Sequence, residues 1–137
     1  MNSPSNISTR FAQRSDAARI VQLVRQMGPD SPLTEDYVHH YLAGKDRQIL
    51  LAQRGDAIVG LLSYSVRADL YHAGNSVLIE ELVVEAACRG QGIGSALLQA
   101  LLENLAGLAC RELCLAVMPD NEAAIRLYKK YGLVEEA

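Results

Sequence analysis

No stretch of about 18 consecutive apolar residues occurs in the 137-residue chain, so no membrane-spanning helix and no membrane partner are expected. The opening MNSPSNISTR lacks the apolar core of a secretion signal, and a cytoplasmic protein is expected. A basic excess is missing too. Thirteen Lys and Arg stand against 16 Asp and Glu, a net charge of −3, which argues against a nucleic-acid partner. Cysteine is scarce: Cys88, Cys110 and Cys114 are odd in number and follow no C-x-x-C spacing. That excludes a disulfide framework and a dithiol redox motif, and reduced, buried thiols are expected. His39, His40 and His72 do not cluster with the cysteines, so no metal site is expected. Repeats, low-complexity tracts and linkers are absent, which leaves no sign of a second domain.

What is present is half hydrophobic and one fifth charged, the balance of a globular chain. Residues 1–137 are read as one domain, long enough to bury a core. ISTRFA, 7–12, has strand character. Ser15-Asp16 offers a helix cap, and Ala17, Ile20, Val21, Leu23, Val24 and Met27 follow at helical spacing until Gly28-Pro29. Thr34 caps a second helix bearing Tyr37, Val38, Tyr41 and Leu42, which Gly44 ends. QILLAQ (48–53), the turn Arg54-Gly55-Asp56 and AIVGLLSYSV (57–66) read as a hairpin. A polar loop over about 67–75 leads to the strand VLIEELVV, 77–84. SALLQALLENLAGL is an amphipathic helix, ELCLAV (112–117) a strand, and Asn121 opens a last helix ending at Gly132. The order β-α-α-β-β-β-α-β-α makes a mixed α/β domain.

Between strand 77–84 and the helix lies EAACRGQGIG, with glycines at 90, 92 and 94. A helix N-terminus carries unpaired N–H groups and a partial positive charge. Glycines permit positive φ and let a ligand approach the backbone closely. Strand, glycine turn and helix start together make an anion site suited to phosphate, with Arg89 as a charged donor at its mouth. It is not the Lys-bearing nucleotide loop, since Ser95 and Ala96 stand where Lys and Ser or Thr belong. The dinucleotide fingerprint fails at its third glycine, which is Ser95.

The spacing that fits is R-x-x-G-x-G, through Arg89, Gly92 and Gly94. With EELVVEAACRGQGIGSALL (80–98) before it and NEAAIRLYKKYGL (121–133) after it, the chain resembles the GNAT superfamily of acyl-CoA-dependent N-acyltransferases over nearly its whole length. The resemblance implies a GNAT fold, a central mixed and mostly antiparallel sheet flanked by helices. It implies acetyl-CoA as co-substrate and a small-molecule amine as acceptor. Arg89, Gly90, Gln91, Gly92, Ile93, Gly94 and Ser95 would hold the pyrophosphate of coenzyme A. Leu82, Val83 and Val84 would pair with its pantetheine arm, which Asn121 would also contact. Their side chains can be core at the same time, because pairing uses backbone groups. A backbone N–H of this strand, that of Val83, would meet the oxyanion.

Acetyl transfer to an amine needs a base for the ammonium, stabilisation of the oxyanion and a proton for the departing thiolate. Glu80 and Glu81 interrupt an apolar strand, where charge is disfavoured without a use. Neighbours on a strand point to opposite faces, so one is expected at a cleft and the other elsewhere. E-E-x-x-V before R-G-x-G-I-G resembles the family's polyamine acetyltransferases. That favours Glu80 as base and Glu81 as a substrate-binding or structural residue; both can instead merely pair with basic neighbours. Tyr128 falls at the family's tyrosine position and would be the acid to the coenzyme sulfur, its rival role being a buried tyrosine bonded to backbone. Tyr37, His39, His40, Tyr71 and His72 border the region where the family binds its acceptor, each as readily a surface or packing residue.

The family pattern continues after G-F with a further strand, whereas Leu133 stands at the Phe position and only residues 134–137 follow. A truncated final strand is therefore expected, with an open sheet edge that invites a homodimer. A second reading, from another class, is a module that binds acyl-CoA and turns nothing over. Glu80 and Tyr128 separate the two, since a sensor has no use for them.

Overall fold

Apolar runs buried on both sides draw five strands into one sheet, and the helices cover both its faces. A computed structural model describes residues 6–115. In chain order these form β1 (Ile7–Phe11), α1 (Ala17–Met27), α2 (Glu35–Ala43), β2 (Arg47–Arg54), β3 (Ala57–Asp69), β4 (Gly74–Val84), α3 (Ile93–Asn104) and β5 (Cys110–Leu115). The sheet order is β1-β2-β3-β4-β5. The first four strands are antiparallel, and β5 runs parallel to β4 after the α3 crossover. This is the mixed α/β architecture expected from the sequence. The expected helix from Asn121, the final strand, Asn121 and Tyr128 all lie outside the described residues.

Several details differ from the expectation, among them the bounds of α3, expected over 95–108 and observed over Ile93–Asn104. Residues 67–75 are mostly strand: β3 and β4 stay paired through Val66–Val77, Arg67–Ser76, Ala68–Asn75 and Asp69–Gly74, leaving only 70–73 as the turn. Their polar side chains had read as loop, but ladder bonds use backbone and tolerate polar residues at a solvated sheet end. β5 begins at Cys110, two residues before the expected start. Asp16 stands at the start of α1 without capping it. Its carboxylate takes two bonds of 2.9 Å from Arg10 and one of 2.7 Å from the Gln13 N–H, closing the preceding turn. The Arg10 guanidinium holds this buried carboxyl below the usual range. Thr34 does cap α2, accepting from the Tyr37 N–H at 3.1 Å.

Two cores sandwich the sheet. Leu97, Leu98 and Leu101 of α3 pack on Leu62, Tyr64, Val77 and Ile79. Ala17, Ile20 and Leu23 of α1 and Val38 of α2 pack on Ile49, Leu51, Leu61 and Val83. β4 contributes to both, and the position at which it changes face builds the site.

Candidate active site

In a regular strand, residues 77, 79, 81 and 83 would share one face. Val77 and Ile79 do join the α3 core, yet Val83 joins the α1 core. The parity flips because β4 carries one extra residue: Ser63 pairs with Glu81 and Tyr64 with Ile79, which leaves Glu80 unopposed in a β-bulge. The expectation that Glu80 and Glu81 point to opposite faces is therefore wrong. Both carboxylates line one cavity of about 310 Å³ beneath α1 and α2.

Each carboxylate has a fixed donor. The Tyr41 hydroxyl of α2 donates to Glu80 Oε1 at 3.1 Å. The buried Ser63 hydroxyl donates to Glu81 Oε1 and accepts from the Glu81 N–H. Burial, and after it the charge of Glu80, push the Glu81 carboxyl up, while the Ser63 bond opposes them. Burial, reinforced by Glu80, pushes the Tyr41 hydroxyl well above its ordinary value, so it stays a neutral donor. The walls are Ile20, Val24, Met27, Leu33, Tyr37 and neighbouring apolar groups. Of the residues expected to border an acceptor, Tyr37 lines this cavity, whereas His39, His40, Tyr71 and His72 do not. His72 sits in the β3–β4 turn, 2.7 Å from Asp69 Oδ2. Tyr41 and Ser63 escape sequence reasoning: one reads as the apolar side of a helix, the other as a small residue within an apolar run.

Among the described residues β5 pairs with β4 from Asn75 to Ile79. From Glu80 to Val84 the outer edge of β4 has no ladder partner among the described residues. The Glu85 N–H donates inward to the Val59 carbonyl at 2.8 Å. With a period of two, the Val83 N–H also faces β3, where Leu61 opposes it. Val83 is thus not the oxyanion donor that the resemblance implied; the outward N–H groups are those of Leu82 and Val84.

The glycine turn follows. Gly90 and Gly92 have φ of 78° and 83°, and nothing lies within 4 Å of where a Cβ would stand on either. Gly92 opens α3 without any side-chain cap. The N–H groups of Ile93, Gly94 and Ser95, in the first turn, have no partner within the helix. Gly94 is already helical. An open concavity lined by backbone donors suits a pyrophosphate, with the exposed Arg89 beside it. The turn is braced from α1. Arg19 reaches Glu85 at 2.9 Å and the Ile58 carbonyl at 2.8 Å. Gln26 donates to the same carboxylate at 3.0 Å and accepts from the Ala86 N–H at 3.1 Å.

An acid pair, a strand edge with no ladder partner among the described residues and a turn suited to phosphate thus follow one another along the chain. The same segments match a known profile, that of the acetyltransferase (GNAT) family, over residues 17–133. The chain belongs to that family. Acetyltransferases of this family use acetyl-CoA as co-substrate. The chain is 29% identical over 124 residues to glucosamine 6-phosphate N-acetyltransferase 1 of rice, covering 83% of this chain and 72% of that protein. It is 25% identical over 142 residues to bovine thialysine N-epsilon-acetyltransferase, covering 92% and 83%. A solved structure from Agrobacterium tumefaciens shares the fold with a TM-score of 0.85 at 24% identity, covering 95% of this acetyltransferase and 94% of that chain. Among the described residues no helix is long and apolar enough to cross a membrane.

Proposed function

We propose that this acetyltransferase moves the acetyl group of acetyl-CoA directly onto the primary amine of a small molecule, within a ternary complex. The observation that carries this reading is the shared cavity of Glu80 and Glu81, on the stretch of β4 whose outer edge has no ladder partner among the described residues. An amine enters as its ammonium, which cannot attack a thioester. Glu80 takes the proton, through water where the reach requires it, and Glu81 holds the cation. The outward N–H groups of Leu82 and Val84 pair with the pantetheine arm and meet the developing oxyanion. Residues 89–95 hold the pyrophosphate, Asn121 the arm, and Tyr128 returns a proton to the sulfur. The rice and bovine relatives, both named as N-acetyltransferases, support an amine acceptor. Cys88 and Cys110, which form no disulfide, suit a cytoplasmic setting.

The test is thiol release from acetyl-CoA across a panel of amines. Glu80→Gln and Tyr128→Phe are each expected to lower kcat by about 10²–10⁴-fold with coenzyme binding retained. Full activity in Glu80→Gln would overturn its role. Acetyl-CoA binding by calorimetry with no turnover of any amine would replace the enzyme by a silent binding module.

A further inference from the structure

We infer that the acceptor is an aliphatic diamine or longer polyamine, recognised as a dication by the paired carboxylates of Glu80 and Glu81. The inference rests on the proposed acetyl transfer and narrows its substrate. A regular strand would present one carboxylate to the cavity; the bulge presents two. Two carboxyl groups in an apolar cavity are costly to ionise together unless cations meet them. No Lys, Arg or His stands among the described lining residues, so the chain itself brings no counter-charge to the cavity there. Tyr41 and Ser63 orient the two carboxylates as neutral donors and neutralise neither. Within the described lining, positive charge comes only with the ligand. A single ammonium leaves one negative charge over, whereas a second ammonium balances it.

The walls agree. Ile20, Val24, Met27 and Leu33 suit a methylene chain. A phosphate or carboxylate on the acceptor would meet two like charges and, among the described lining, no cationic partner. That sets a phosphorylated aminosugar or an amino acid against the cavity's own charge. A volume near 310 Å³ is that of a small-ligand site.

Thiol release is measured with the full chain, acetyl-CoA and four acceptors: 1,4-diaminobutane, 1-aminobutane, lysine and glucosamine 6-phosphate. The diamine should exceed the monoamine by about ten-fold or more in kcat/KM, as one additional charge-assisted contact gives. Glu81→Gln should shrink that ratio. Ser63→Ala should shrink it too, and Ser63→Thr, which keeps the hydroxyl, should restore it; thermal melts verify that each variant is folded. Equal kcat/KM for diamine and monoamine, or a preference for glucosamine 6-phosphate, would overturn the inference and leave acetyl transfer to amines standing. No thiol release with any amine would overturn acetyl transfer instead. Calorimetric titration of the diamine and the monoamine then decides the charge recognition by itself: tighter diamine binding upholds it, and equal binding ends it.

Discussion

Glu85 is the residue through which α1 grips the glycine turn. Its bond from Arg19, then that from Gln26, hold its carboxyl down at about 2. A carboxyl depressed below the ordinary value of about 4.3 stabilises the fold above that value and loses the contribution as pH falls towards 2. The stability of the parent should therefore drop through this acid window, and Glu85→Gln should drop less steeply there. Thermal melts between pH 2 and 7 read the difference; parallel curves would mean the contact contributes nothing, as exposed pairs often do. None of this partnership was visible in the sequence. Arg19 and Glu85 lie 66 positions apart, and no local pattern couples them. Tyr41 and Ser63 were hidden for the same reason. Glu80 and Glu81 stood out, because two charges in an apolar strand conflict with their own neighbourhood.

Among elements, the turn into α3 depends most on backbone conformation. Gly92 sits at positive φ with open space where a side chain would go. Gly92→Ala thus strains the backbone without a clash, at about 1–2 kcal/mol of stability. It also fills the cradle. KM for acetyl-CoA should rise more than kcat falls; an unchanged KM would show that no phosphate approaches there. Strands, helices and this turn could be read from the sequence because periodicity, caps and glycine spacing are local. The bulge could not. VLIEELVV is apolar on both sides of its two acids with nothing local to mark a bulge, and its extra residue exists only relative to Ser63 and Tyr64 on another strand. The polar ends of β3 and β4 were read as loop for the same reason: pairing across strands, not side-chain character, keeps them extended.

In the whole molecule the two helical layers divide the work. α1 and α2 roof the acid pair, and α3 offers its N-terminus to the cradle. At the far end, Leu70 and Tyr71 are 98% and 91% exposed in the β3–β4 turn. Adjacent apolar side chains so placed suit contact with a second copy. The homodimer expected from the sequence should sediment as such at micromolar concentration, and Leu70→Ser with Tyr71→Ser should shift it to monomer if this turn forms the contact; a parent that is already monomeric would end that expectation. The edge of β4 from Glu80 to Val84, which has no ladder partner among the described residues, would be a ruler as well as the proposed docking strip. Five residues at about 3.3 Å each set a span of about 16 Å between the acids and the glycine turn. Covalent geometry fixes that span, so no substitution can retune it. A thioester carried on a shorter arm would stop short of Glu80, and only inserting or deleting residues in β4 would bring the two back into register.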